Sequence, residues 1–218
     1  MQDDETARVA TIVERLHRAY PDATCSLHFS NPLELLVATI LSAQCTDERV
    51  NEVTGRLFTT YRSAEDYANA PPEELEAAIK PTGFYRTKAR YIQAACRVIT
   101  ERYSGEVPCQ MEQLIALPGV ARKTANVVLG NAYGVVEGVV VDTHVGRVAR
   151  RLGLTASDDP LTVEADLTAR LPRTHWLSMA HQMITHGRAL CKAQRPLCPA
   201  CALNDLCPAS TVTAVAAT

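Results

Sequence analysis

The sequence lacks the features that mark membrane, secreted and repeat proteins. No apolar run reaches the roughly 18 residues of a membrane-spanning helix, and the opening residues MQDDETARVA are acidic where a signal peptide is basic. No internal repeat or low-complexity linker interrupts the 218 residues. We therefore expect a cytosolic globular protein with no membrane partner, long enough to bury one large core or two small ones.

The chain also lacks a strong excess of either charge, with a formal net charge of -2. Phosphate binding needs only one basic face, so this balance does not decide between a nucleic-acid partner and another. Acidic residues crowd positions 1–5 and 73–76. The basic groups are Arg86, Lys88 and Arg90, and Arg147, Arg150 and Arg151.

Helical patterns dominate the chain. Apolar residues recur at helical spacing from Val9 to Tyr20, and TKARYIQAACRVI and HWLSMAHQMI show similar stripes. In NPLE, Asn31 is the predicted N-cap, followed by Pro32 and, three residues past the cap, Glu34. Other helix starts are predicted at Thr46, Ser63 and Pro71–Pro72.

One β-like run, VVEGVVV at 135–141, has no evident partner strand. We therefore predict an all-α fold with short connections. The final residues, 210–218, are small and weakly patterned, which predicts a frayed tail.

Four of the eight cysteines share one short segment. Cys191, Cys198, Cys201 and Cys207 have the spacing C-x6-C-x2-C-x5-C. Disulfides are disfavoured in a cytosolic chain, which leaves tetrahedral zinc or a [4Fe–4S] cluster. Zinc sites usually pair two short Cys knuckles and only one is present, which favours iron–sulfur. The remaining cysteines are predicted to be buried and inert; they are Cys25, Cys45, Cys96 and Cys109.

The segment MEQLIALPGVARKTANVVLG predicts two helices joined by a tight turn at Pro118–Gly119. We expect the amides of Val120 to Lys123 to point outward as an anion site that grips nucleic acid without reading its sequence. The alternative is a core hairpin with two solvated cations, Arg122 and Lys123. Two apolar faces are predicted for the hairpin: Leu114, Ile115 and Leu117, and Ala125, Val128, Leu129 and Ala132.

Two charged residues at helix starts lie about twenty positions apart, Lys123 and, in VVVDTHVGRVARRLG, Asp142. A helix N-terminus disfavours the charge of a lysine, so Lys123 is suited to nucleophilic attack on a sugar carbon. A carboxylate at a helix start caps the helix and stays ionised. As a pure cap, Asp142 needs no other function.

Four features in this order resemble the endonuclease III family of helix-hairpin-helix DNA glycosylases. They are LSAQCTD, LPGVARKTANVVL, VDTHVGRVARRL and the cysteine spacing, and the resemblance runs from about Ala7 to Cys207. It implies a six-helix barrel domain over 25–135, with the helix-hairpin-helix motif at about 110–132. It implies a second domain, 1–24 and 136–218, with a [4Fe–4S] cluster in the loop 191–207 and a cleft between the domains.

The resemblance implies a bifunctional DNA N-glycosylase and AP (apurinic/apyrimidinic) lyase of base excision repair. The enzyme would remove oxidised pyrimidines from double-stranded DNA and nick the strand at abasic sites by β-elimination. In this family Lys123 matches the nucleophile that forms a Schiff base, and Asp142 matches the residue that assists departure of the base. Cys191, Cys198, Cys201 and Cys207 match the cluster ligands. The protein would act as a monomer, at the nucleoid in a bacterium.

The resemblance also assigns DNA contacts. Gln44 matches the residue that fills the gap left by the flipped nucleotide, and Thr82 and Phe84 match a wedge. The hairpin contacts would include Gly119, Ala121 and Arg122, and the other phosphate contacts would be Arg147, Arg188, Lys192 and Arg195.

Three residues depart from the family pattern. Ala121 replaces the second glycine of the hairpin turn, Phe84 is bulkier than the common leucine, and Thr82 is more polar than the common valine or isoleucine. Because φ is normally negative where a helix begins, we expect little backbone strain at Ala121.

Two alternative functions remain open at this point. A mispair-specific adenine glycosylase would lack the nucleophilic lysine and carry a further C-terminal domain, whereas Lys123 is present. A non-catalytic iron–sulfur DNA-binding protein would bind DNA without cleaving a damaged duplex.

Overall fold

The computed structural model describes residues 2–212, in which helices are joined by short connections and no strand occurs. The all-α prediction is therefore confirmed for this range. The α-helices are α1 Gln2–Ala19, α2 Pro32–Leu41, α3 Asp47–Thr60, α4 Ala64–Asn69, α5 Pro72–Ile79, α6 Tyr85–Tyr103, α7 Met111–Ile115, α8 Arg122–Val128, α9 Thr143–Arg151, α10 Pro160–Arg170 and α11 Trp176–Ala189.

Shorter helical turns occur at Lys80–Thr82, Arg173–His175 and Cys198–Ala200, and a π-helical turn, Leu129–Tyr133, follows α8. The β-like run at 135–141 is irregular loop. In the described range, no helix is long and apolar enough to cross a membrane. The tail predicted at 210–218 lies outside the described residues from 213 onward.

The chain divides into two compact units, one of residues 25–135 and one formed by residues 1–24 together with residues 136–218. Each unit has its own apolar core. In the first unit the fully buried side chains include Leu35, Leu41, Leu75, Ile92, Ile99 and Leu129. In the second unit they include Ile12, Leu16, Val145, Val148, Leu167 and Met183.

Helix α1 buries the apolar stripe expected from the sequence, including Val9, Ile12 and Leu16, in the core of the second unit. Tyr20 follows the end of α1 and is half-buried. The stripe prediction is therefore confirmed within α1, with Tyr20 placed one residue beyond the helix.

Side-chain caps fix most of the predicted helix starts. The Asn31 side chain accepts a hydrogen bond from the Glu34 amide at 2.9 Å, and Pro32 opens α2. The Glu34 carboxylate accepts from the amide and hydroxyl of Ser30, one residue upstream of the cap. Thr46 caps α3, and Ser63 forms a capping box with Asp66 at the start of α4.

The hairpin predicted from the sequence is formed by α7, a turn at Pro118–Gly119 and α8. The predicted apolar faces are mostly confirmed, since Leu114, Leu117, Ala125, Val128 and Leu129 are buried. Ile115 was assigned to the core wrongly, because its side chain is 47% exposed. It follows the buried Leu114 by one residue, and one residue turns a helix by roughly 100°. Ala132, in the π-helical turn, is only half-buried.

Gly119 is required in the hairpin turn for two separate reasons. Its φ of +77° lies in the left-handed region, which residues with a Cβ adopt only at a cost in conformational energy. A Cβ at this position would also lie 2.6 Å from both Cβ and Cγ of Tyr91. The ring of Tyr91, on α6, therefore packs directly against the backbone of the turn.

We predict that Gly119→Ala lowers the free energy of unfolding more than Gly105→Ala does. Gly105 has a φ of +84°, and a Cβ there would meet nothing within 4 Å, so this control carries backbone strain alone, about 1–2 kcal/mol. Overpacking against Tyr91 should add about 1–3 kcal/mol. Urea unfolding measures both, and equal losses in the two variants would contradict the packing argument.

Candidate active site

Lys123 is the second residue of α8, and its side chain is exposed. The N-cap of α8 is Ala121, which has no side-chain acceptor for the first amides of the helix. These amides belong to Arg122, Lys123 and Thr124. The Val120 amide was assigned to this group wrongly, because it donates to the Leu117 carbonyl at 3.1 Å.

Ala121 has extended backbone, with φ -87° and ψ 167°. The expectation of little strain at Ala121 is confirmed, because a negative φ places no penalty on a Cβ.

Asp142 is the N-cap of α9 and is half-buried. Its Oδ1 accepts hydrogen bonds from the amides of His144 and Val145, both at 2.8 Å. The predicted capping role is confirmed. Because both cap bonds go to Oδ1, the cap leaves Oδ2 unused.

Gln44 and Phe84 share an uncommon backbone conformation. Gln44, in the connection between α2 and α3, has a φ of 52°, and Phe84, the residue before α6, has a φ of 47°. Both side chains are exposed, Phe84 by 67%. Left-handed residues with side chains cost energy and persist only where their surroundings hold them. The backbone at both positions is therefore strained, and both side chains project from the surface.

Thr82 is placed differently from Phe84. It is only 2% exposed, and its hydroxyl donates to the Ile79 carbonyl at 2.8 Å. The sequence assigned both residues to a projecting wedge, but in this structure only Phe84 projects. The Thr82 hydroxyl is buried because it closes the short helical turn Lys80–Thr82.

The structure brings Cys191, Cys198, Cys201 and Cys207 to one cavity of about 30 Å³. Apolar side chains complete its wall, among them Val148, Leu152, Leu190 and Leu197. Across residues 2–212, no group of three or more His, Cys, Asp or Glu side chains is arranged to hold a single metal ion. The four thiols therefore line the wall of the cavity and do not converge on a single point.

The environments of these thiols differ. Burial raises the pKa of the Cys201 and Cys207 thiols. Hydrogen bonds from the backbone and side chain of Thr211 lower the pKa of the Cys198 thiol. The hydrogen bonds at Cys198 thus favour the thiolate, which is the form that binds metals.

Two arginines of α9 hold the cysteine loop. Arg151 donates to the Cys191 sulfur at 3.3 Å, to the Lys192 carbonyl at 2.7 Å and to the Ala193 carbonyl at 2.9 Å. Arg147 donates to the carbonyls of Cys191 at 3.0 Å and Gly187 at 2.9 Å. Sequence reasoning treated Arg147 as a phosphate contact and gave Arg151 no role. Their spacing of four residues on one helix face was the signal for a shared role.

His186 is a further residue that sequence reasoning missed. It is buried, its Nε2 lies 3.6 Å from the Cys201 sulfur, and its Nδ1 lies 3.0 Å from the Tyr20 hydroxyl. Burial lowers the pKa of its imidazole. It stands five residues before Cys191 on the helix that leads into the loop, which marks it as part of the wall.

The remaining predicted residues have mixed positions. Arg122, Arg188, Lys192 and Arg195 are exposed, and Arg195 has a φ of 52°. Of the cysteines outside the loop, Cys96 is buried, and burial raises its pKa to about 12. Cys25 and Cys45 are half-buried, and Cys109, predicted to be buried, is exposed because it lies in the connection before α7.

Comparison with known proteins gives consistent matches. The model of the HhH-GPD superfamily of base excision DNA repair proteins matches residues 37–173. The chain is 53% identical to endonuclease III of Synechocystis sp. over 93% of each chain. It is 39% identical to endonuclease III of Escherichia coli over 92% of this chain and 95% of the relative.

Solved structures agree with these matches. A trapped endonuclease III–DNA covalent intermediate is 47% identical, has a TM-score of 0.88 and aligns over 94% of this chain and 96% of its own. A thermostable thymine-DNA glycosylase, 21% identical with a TM-score of 0.84, shares the fold. The chain thus belongs to the endonuclease III family of the HhH-GPD superfamily, the DNA glycosylases and AP lyases of base excision repair.

Proposed function

We propose that the protein releases oxidised pyrimidines from double-stranded DNA and then nicks the strand through a Schiff base on Lys123. The observation that carries this proposal is the exposed amine of Lys123 in the first turn of α8. A 47% identical endonuclease III has been trapped as a covalent intermediate with DNA, which supports a covalent step in this chain.

The hairpin supplies the grip on the DNA backbone. The first amides of α8, those of Arg122 to Thr124, carry the positive end of the helix dipole. Helix N-termini of this kind bind phosphate. Contacts to phosphate position a protein on the duplex without reading sequence. Such a grip suits an enzyme whose target is a damaged base in any sequence.

The chemistry begins with extrusion of the damaged nucleotide, because a base inside the stack is unreachable. Bound DNA displaces water from Lys123, which then attacks C1′ as the neutral amine. The Nζ–C1′ bond forms while the glycosidic bond breaks, and the base leaves with the bonding electrons. The Asp142 carboxylate, through the Oδ2 that its cap leaves unused, stabilises positive charge on the sugar.

The sugar ring then opens: Nζ gives up one proton, the C1′–O4′ bond breaks as O4′ takes a proton, and a protonated imine forms between Nζ and C1′. Strand cleavage follows from this imine. Loss of a proton from C2′ lets its electrons form a C2′–C3′ double bond, and the C3′–O bond breaks with release of the 3′ phosphate. Water then hydrolyses the imine and frees the amine of Lys123. In this proposal the exposed side chains of Gln44 and Phe84 occupy the space around the flipped nucleotide.

We further propose that the four cysteines of the loop hold a [4Fe–4S] cluster. Cysteine sulfurs are the ligands that such a cluster requires, and the cavity has four of them with apolar walls. When bound, the cluster supplies cross-links that fix the loop. The exposed Lys192 and Arg195 of this loop then lie on a rigid segment suited to phosphate contact.

Borohydride should trap the wild-type protein on abasic DNA, and both Lys123→Ala and Lys123→Arg should abolish trapping and strand nicking. The arginine variant keeps the positive charge, so its affinity for abasic DNA should stay close to that of the wild type. Gel analysis of the covalent complex measures the outcome. Trapping of Lys123→Arg at the wild-type rate would identify another amine as the nucleophile.

Asp142→Asn should slow base release about 10²–10³-fold, the loss typical of one electrostatic stabiliser. Asparagine still caps a helix, so the stability of the variant should change little. Asp159→Asn is the matched control, because Asp159 caps α10 through the Thr162 amide in the same unit. Single-turnover release of the base should be unchanged in the control, and an equal loss in both variants would assign Asp142 a capping role alone.

Purified protein should contain about four iron atoms with acid-labile sulfide, and Cys198→Ser should lose most of both. Metal binding contributes folding energy, so this variant should also melt at lower temperature. Cys109→Ser, at an exposed cysteine of the other unit, should keep its iron. Stoichiometric zinc without sulfide, after anaerobic purification, would refute the cluster.

A further inference from the structure

Lys88 is a buried lysine that joins two helix ends. It lies on α6 and is 4% exposed. Its Nζ donates to the Leu41 carbonyl at 2.7 Å and to the Thr82 carbonyl at 2.8 Å. Leu41 is the last residue of α2, and Thr82 is the last residue of the helical turn Lys80–Thr82. One ammonium group therefore connects Leu41 and Thr82, which are 41 residues apart in sequence.

The burial of Lys88 costs folding free energy, so the two hydrogen bonds of its ammonium group are informative. Lysine is rarely buried, and burial lowers the pKa of the Lys88 ammonium group. The cost is offset because the last carbonyls of a helix lack intrahelical donors and favour a cation. Charge and hydrogen-bond donors are both used at this point, so an apolar side chain of the same length cannot replace Lys88.

Each of the two carbonyls lies just before a strained, projecting residue. Gln44 follows Leu41 by three residues, and Phe84 follows Thr82 by two. Both have positive φ and exposed side chains. Strained residues persist where neighbouring contacts determine the backbone. The hydrogen bonds from Lys88 to the Leu41 and Thr82 carbonyls therefore fix the backbone just before Gln44 and Phe84.

We propose that Lys88 is a positioning residue that sets the separation between Gln44 and Phe84 for insertion into the duplex. This inference rests on the proposed function, in which these two side chains occupy the space around a flipped nucleotide. Lys88 itself is buried and touches no DNA. Its loss should impair unstacking of the duplex while leaving the phosphate grip of the hairpin intact.

The test uses the whole protein with its cofactor and a duplex that needs no chemistry. The duplex carries 2-aminopurine beside a reduced, stable abasic site, so its fluorescence rises when the neighbouring bases unstack. With saturating protein, Lys88→Met should lose most of the rise seen with the wild type. Affinity for undamaged duplex should change by less than about twofold, because phosphate contacts dominate it.

Base release should follow the same pattern. In Lys88→Met, kcat for an oxidised pyrimidine should fall about 10–100-fold, the cost of misplacing groups by about an ångström, with KM little changed. In a Gln44→Ala, Phe84→Ala background, Lys88→Met should cause no further loss of fluorescence or kcat, because the residues that it positions are absent.

Two control variants separate positioning from charge and from stability. Lys80→Met removes an exposed lysine from the same segment, and Ile99→Val trims the buried face of α6. Both should give the full fluorescence rise. A full rise with Lys88→Met, or a loss equal to that of Ile99→Val, would overturn the proposal.

If Lys88→Met does not unfold cooperatively on heating, Lys88→Arg takes its place in the test. It keeps the charge and the donors, but its larger head group should spread the two segments and give a fluorescence rise between those of the wild type and Lys88→Met. An unchanged rise in a folded Lys88→Arg would overturn the proposal. Failure of the wild type to trap on abasic DNA would instead refute the proposed function, since the fluorescence assay requires no catalysis.

Discussion

Backbone groups at helix ends govern the structure of residues 2–212. Each short helix leaves amides at its start and carbonyls at its end that need partners, and the protein meets this need in different ways. Asn31 and Ser63 cap their helices with side-chain oxygens, and Lys88 donates to two terminal carbonyls. At the start of α8 no side-chain cap is supplied, because the N-cap residue is Ala121. In the proposed function, this helix start binds a phosphate.

The residues proposed to act on DNA stand at these same ends. Asp142 is a cap, Lys123 lies in a first turn, and Phe84 precedes a helix. A helix end combines a rigid scaffold with unsatisfied polar groups, so it can hold a side chain precisely and still interact with a ligand. The departure at Ala121 fits this arrangement, since extended backbone accepts alanine as well as glycine.

Sequence reasoning succeeded where the controlling interaction is local. The caps at Asn31, Thr46 and Asp142 are made by a side chain and an amide two or three residues later, so a short motif carries the information. It failed where partners are distant in the chain. The Lys88 bond to Leu41 spans 47 residues and the Arg147 bond to Cys191 spans 44. No rule of sequence spacing predicts such pairs, and from the sequence alone Lys88 and Arg147 are indistinguishable from ordinary surface cations.

The cysteine loop is held by residues from the opposite end of the chain. Arg8 of α1 donates to the Leu206 carbonyl, and Arg15 donates to the Ala202 carbonyl and pairs with Asp205. Domains tend to fold as units while a chain is synthesised. Residues 25–135 form a contiguous unit and can fold as soon as they leave the ribosome. Helix α1 is made before this unit, whereas its partners in the cysteine loop are made after it, so the loop acquires these contacts late in the biosynthesis of this protein.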